Sequence, residues 1–220
     1  MEYGPGKDIC VGTFLPDRRW VDFNQHWSVV GPKLRHFRYA DDKKDAALLL
    51  EDFHIRVGTK VRSGLAGFDY DGASKGKIVW TLLGHPYAVG GLAQFTCHDF
   101  DYVANLVPRD EADWAMLEGL KAFGDNSWAN RNAVWSAVRV GGAFVYPKKQ
   151  AELDKYRDYV MLTDLSLTGG KCLDKRLTGT GKRISIRPEI SLEPDYSVSC
   201  LQKPPALEGL LTEDPNDKNA

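Results

Sequence analysis

Between Ile78 and His98 the chain carries no Asp, Glu, Lys or Arg. A charge-free stretch of that length is long enough to cross a bilayer, and otherwise belongs in a protein interior. Gly84-His85-Pro86, Gly90-Gly91 and Gln94 interrupt it. Such breaks suit a turn between two buried strands better than a continuous apolar helix. The expectation is a strand-rich interior and no membrane span.

Residues 1–30 look irregular to strand-like, with Trp20, Phe23 and Trp27 among polar residues. Asp41 or Asp42 can cap a helix running to about His54, since Ala46, Leu49, Leu50 and Phe53 follow a helical spacing. Ile55 to Phe68 is strand-like, Asp71-Gly72 offers a turn, and Lys77 to Leu83 reads as a returning strand. Leu92 to Val107 is expected to form one or two further strands. The clearest helix covers 109–123: Pro108 precedes it, Asp110, Glu111 and Asp113 fill its first turns, and Gly124 follows. Trp114, Leu117, Leu120 and Phe123 give it an apolar side.

Ala133 to Tyr146 is rich in β-formers, with Val134, Trp135, Val138, Val140, Phe144 and Val145, and is expected to be a strand bent at Gly141-Gly142. A short helix follows Pro147, and Tyr159 to Leu167 and Lys182 to Leu192 read as strands. Strict β-α-β alternation is missing, which argues against a doubly wound sheet. The expected fold is α+β and strand-rich, an antiparallel β-sandwich of jelly-roll type with two or three short helices. Residues 1–203 are expected to form one domain. From 204 to 220 there is little to bury, and an acidic, proline-containing mobile tail is expected.

Charge narrows the partners. The chain has 29 Lys and Arg against 30 Asp and Glu, so it is not a generally basic nucleic-acid binder. The N-terminal residues include Glu2 and Asp8 without a long apolar core, which does not fit a signal peptide. Cys10, Cys97, Cys172 and Cys200 lack C-x-x-C spacing. They read as thiols in a reducing compartment, with two disulfides as the alternative. A cytoplasmic or virion location follows.

Several short motifs suggest chemistry. Cys97-His98-Asp99-Phe100-Asp101 is the densest cluster of reactive groups, and in a strand Cys97, Asp99 and Asp101 would share one side. No second His or Cys lies at ligand spacing, so neither a metal nor a cofactor is expected. Arg62-Ser63-Gly64-Leu65-Ala66 resembles the phosphate-binding motif of dUTPases. The likeness covers about a dozen residues: the family's acidic motif ending in D-Y-x-G follows at a distance, whereas Phe68-Asp69-Tyr70-Asp71-Gly72 comes here almost at once, and the remaining motifs, including a glycine-rich C-terminal one, have no match. Tyr39-Ala40-Asp41-Asp42 is similar to the Y-x-D-D motif of reverse transcriptases, but Lys43-Lys44-Asp45 follows where an apolar strand is required. Thr178-Gly179-Thr180-Gly181-Lys182 lacks the first glycine and the Ser or Thr of a phosphate loop.

Two basic stretches could meet a polyanion: Lys33, Arg35 and Arg38, and Lys175, Arg176, Lys182, Arg183 and Arg187. No complete catalytic constellation is present. The leading expectation is a non-enzymatic structural or assembly protein, coat-like and homo-oligomeric, with Trp20, Trp27, Trp128 and Trp135 as interface candidates. The order of elements resembles small viral capsid jelly rolls, although residues 1–30 lack the basic arm such coats carry. The alternatives are a small hydrolase using Cys97, His98, Asp99 or Asp101, and a ligand- or carbohydrate-binding sandwich.

Overall fold

The computed structural model describes residues 9–23, 31–38, 45–70, 92–123, 128–142, 146 and 150–178. Seven strands come first: β1 (Ile9–Phe14), β2 (Trp20–Asp22), β3 (Leu34–Arg38), β4 (Asp45–Leu49), β5 (Phe53–Val57), β6 (Lys60–Gly64) and β7 (Asp69–Tyr70). Four helices follow: α1 (Leu92–Ala104), α2 (Arg109–Phe123), α3 (Trp128–Gly142) and α4 (Gln150–Tyr156). Strand β8 (Val160–Asp164) and a 3-10 turn at Lys175–Thr178 complete the described chain.

The larger sheet has five antiparallel strands in the order β2-β1-β5-β6-β8, and the smaller has the order β3-β4-β7. Glycine makes the central hairpin possible. Gly58 takes a positive φ of 61° between β5 and β6, where a side chain would be strained. The stretch expected to be one strand from Ile55 to Phe68 is therefore a hairpin followed by a turn.

Alternation along the strands gives the larger sheet two different faces. Ile9, Val11, Phe53, Ile55, Val57 and Val160 point to the helical side and pack with Ala93, Cys97 and Phe100 of α1 and Ala115 of α2. Gly64 lets α1 approach closely, because a Cβ there would fall inside the Phe100 ring. The other face carries Phe14, Val61 and Met161, covered by Cys172 and Leu177 and flanked by Trp20. Phe95, Met116, Leu120 and Val134 join the three long helices to one another.

The mixed α+β class is what the structure shows, with the helical share larger than expected. Helix α2 matches the sequence reading from Arg109 to Phe123, and Trp114 packs half-buried against the core. Helix α4 and strand β8 also lie where expected. Three expectations are corrected. Leu92 to Val107 forms helix α1 rather than strands, and it ends at Asn105, whose φ of 47° reverses the chain. Most of the strand expected from Ala133 to Tyr146 is helix α3. The expected helix up to His54 is instead β4 and β5, separated by a bend. Ala46, Ala47, Leu48 and Leu49 are all buried, so β4 shows none of the alternation that marks a one-sided strand. The expected strands at 77–83 and 182–192, and the 203/204 tail boundary, lie outside the described residues.

Candidate functional site: a charged seam between α1, α2 and the sheet

Folding Cys97–Asp101 as a helix separates what a strand would have aligned. At about 100° per residue, Cys97 and Asp101 share one side and His98 and Tyr102 the next. The first pair looks at the sheet, where strand alternation turns Lys60 and Arg62 of β6 toward the helices. Arg62 Nε donates to both carboxylate oxygens of Asp101, at 2.8 and 3.0 Å, and Nη2 donates to Glu111 Oε1 at 3.3 Å. Lys60 Nζ reaches both oxygens of Glu111 at 2.8 Å. The Arg62 and Asp101 side chains are 0% exposed. Burial pushes the Asp101 carboxyl up to about 6, although Arg62 pulls the other way. Burial also pushes the Cys97 thiol far above its ordinary range. A thiol held protonated is a poor nucleophile.

The second pair looks at α2. Asp113 Oδ1 accepts hydrogen bonds from Tyr102 Oη at 2.6 Å and from His98 Nε2 at 3.1 Å. Its other oxygen accepts from Arg139 Nη1 of α3 at 3.2 Å and forms an ion pair with Arg109 at 3.6 Å. Burial alone would raise the Asp113 carboxyl, but the bonds from His98, Tyr102 and Arg139 hold it below its ordinary value. Gly142 leaves room for the Tyr102 hydroxyl, which a Cβ would displace. Arg109 also donates to the Arg139 carbonyl, tying the start of α2 to the last turns of α3.

On the far face of the larger sheet, His54 Nδ1 and Ser63 Oγ share a 2.8 Å hydrogen bond across β5 and β6. Phe14 and Trp20 meet the His54 ring edge-on. Burial lowers the His54 pKa to about 4.

The motif at Arg62–Ala66 thus lies mostly in β6, with Arg62 engaged by carboxylates and Ser63 by His54, both within the core. Such an arrangement offers no open loop to a phosphate. Among the hydrolase candidates, the structure places His98 against Asp113 and Asp101 against Arg62, while Cys97 is buried and Asp99 half-buried. Among the described residues, no three His, Cys, Asp or Glu side chains are placed to hold a metal ion. Sequence reasoning missed Arg109, Arg139 and Tyr102, and took Glu111 and Asp113 only as first-turn acids. The i,i+4 spacing of His98 and Tyr102 was the available signal, readable once the segment is known to be helical.

Among the described residues, the two basic stretches lie beside different sheets. Lys33 pairs with Glu51 at 2.7 Å, next to the smaller sheet. Arg176 is held by Asp174 at 2.6 Å and by Asp158, beside β8. Arg35 and Arg38 lie in β3, Lys175 lies in the 3-10 turn, and Lys182, Arg183 and Arg187 are outside the described residues. The tryptophans also divide. Trp20 packs on Phe14 and donates its indole N–H to Asp22 at 2.6 Å. Trp135 is half-buried beneath Arg139, and Trp128 is 73% exposed. Trp27 lies outside the described residues. Among the described residues no helix is long and apolar enough to cross a membrane.

No family model matches this chain, and neither does any curated protein or solved structure.

Proposed function

We propose that the protein is a non-enzymatic, self-associating protein that docks through the outer side of α3. The observation that carries this reading is the chemistry of that side. Trp128, Asn132, Ser136 and Val140 form one i,i+4 row, with Ala129 and Ala133 beside it, and none is charged. Trp128 and Val140 are 73% and 69% exposed. A helix whose outer side faces water ordinarily carries charge there. Arg139 stands on the same arc, but its guanidinium is drawn to Asp113 and over the Trp135 ring; an exposed Trp among neighbours that are otherwise uncharged is the usual anchor of a protein contact. The seam adds support, because its titratable groups are occupied with one another rather than presented to a substrate.

The coat-like, jelly-roll form of this reading has less behind it. Helix α1 covers the face of the larger sheet where a second sheet of a sandwich would pack. A small hydrolase has one observation in its favour: Asp113 holds His98 as a carboxylate holds a catalytic histidine. Its weakness is that the neighbouring thiol is buried and protonated.

Light scattering across a dilution series tests the proposal. The full chain should run as a multiple of its own mass. Trp128→Ser and Val140→Glu should lower that mass while leaving the circular dichroism spectrum of the folded chain unchanged, since neither side chain is buried within one chain. A wild-type monomer at high concentration overturns the proposal.

A further inference from the structure

Gln94 lies one turn before His98 on α1 and is 1% exposed. Among the described residues, neither its amide nitrogen nor its amide oxygen has a hydrogen-bond partner. The side chain occupies a notch opened by Gly119 of α2, where a Cβ would overlap its Cγ. A buried amide gives up strong bonds to water, and native interiors rarely leave both ends of one unpaired. A second orphan lies on the same seam. Arg62 Nη1 is buried and has no partner among the described residues, although the rest of that guanidinium is paired with Asp101 and Glu111. Seven residues turn a helix by about 700°, so Gln94 and Asp101 stand almost in line along α1.

We infer that this seam is hydrated and that Gln94 binds an ordered internal water. Water fits because Gln94 needs a donor and an acceptor at once, and a single water supplies both. An anion would satisfy only the amide nitrogen, and a cation only the oxygen. Internal waters settle where several otherwise unsatisfied polar groups converge. His98 lies one turn on, with its Nε2 bound to Asp113. The water is part of the α1–α2 packing, filling the place of a side-chain partner that neither helix supplies.

Two measurements on the full chain test this. In the wild-type protein, the Gln94 side-chain amide protons should show a cross-relaxation peak to a long-lived water in a rotating-frame NMR experiment. Gln94→Met, which keeps the length and removes both polar atoms, should lower the melting temperature by about 2–4 °C, because the water loses its anchor. If the amide is merely orphaned, the same substitution removes an unsatisfied group and leaves stability unchanged or raised. Absence of the water peak overturns the inference, and so does an unchanged or raised melting temperature. If Gln94→Met fails to fold, the wild-type peak decides alone.

Discussion

On the face of the larger sheet covered by α1, Arg62 and Asp101 are excluded from solvent as an ion pair. On the opposite face the buried polar pair is His54 and Ser63, and burial keeps the histidine neutral. The difference follows from what covers each face. Helices α1 and α2 bring Asp101 and Glu111 over β6, so a cation can be buried among opposite charges. The second face is covered by Phe14, Trp20, Cys172 and Leu177, and none of these is a carboxylate that could stabilise an imidazolium. One sheet thus buries charge on one side and only neutral hydrogen-bonding groups on the other, because the supply of counter-charges differs.

The largest expected effect comes from removing one charge of the helical face. Asp101→Ala leaves Arg62 buried with only Glu111, at 3.3 Å, to oppose it. Breaking a fully buried pair from one side typically costs about 3–5 kcal/mol. Replacing both partners, as Arg62→Met with Asp101→Leu, should recover most of that loss. Urea unfolding of the three proteins checks it. If the double variant is as unstable as the single one, the cost comes from packing and the contrast between the faces disappears.

Acid should act next, and on the other face. The folded-state pKa of His54 is lowered to about 4 from an ordinary 6.5, so between these values the unfolded chain binds the extra proton. Stability from this site is complete above pH 6.5 and is lost as pH falls toward 4. The gap corresponds to about 3 kcal/mol. Asp101 opposes this, because a raised carboxyl pKa favours the folded state as pH falls through about 6. Comparing wild type with His54→Gln removes that shared contribution. Relative to His54→Gln, wild type should lose up to about 3 kcal/mol as pH falls from 6.5 to 4, and parallel curves would mean that His54 is not a buried neutral group.

What could be read from sequence depended on whether the deciding signal was local. Helix α2 was legible because Pro108 and the acids of the first turns are start signals within a few residues of its beginning. Helix α3 was not, because Val134, Trp135, Val138 and Val140 carry β propensity that tertiary packing overrides. Val134 is buried at the α1–α2–α3 contact, with Val138 packed one turn on, and that spacing fits a helix. Gly142, taken as part of a bend in a strand, is the place where α3 makes room for Tyr102. The error was reversed at β4, whose run of buried residues suggested helical spacing. The site was half-legible. Cys97 to Asp101 stood out, but the partners that define it, Arg62 on β6 and Asp113 on α2, come together only through tertiary structure.

The smallest effect is expected where the second face does carry charge, at its edge. Arg56 donates to Asp22 at 2.9 and 3.0 Å, and Trp20 donates to the same carboxylate. Burial would raise Asp22, but the bonds from Arg56 and Trp20 outweigh it and hold the carboxyl below 3.8. Its contribution is therefore present above the unfolded value and is lost as pH falls through the lower folded one, a window more acidic than that of His54. The Asp22 side chain is 37% exposed, so water screens the pair. Asp22→Asn, which keeps an acceptor for Trp20, should cost about 0.5–1 kcal/mol at neutral pH, in the range of exposed ion pairs. The cost should vanish in strong acid, where the wild-type carboxyl is also neutral. Urea unfolding at both pH values checks this against Asp101→Ala. An equal loss for the two variants would mean that the second face also depends on a buried charge, and the contrast would then be one of position rather than chemistry.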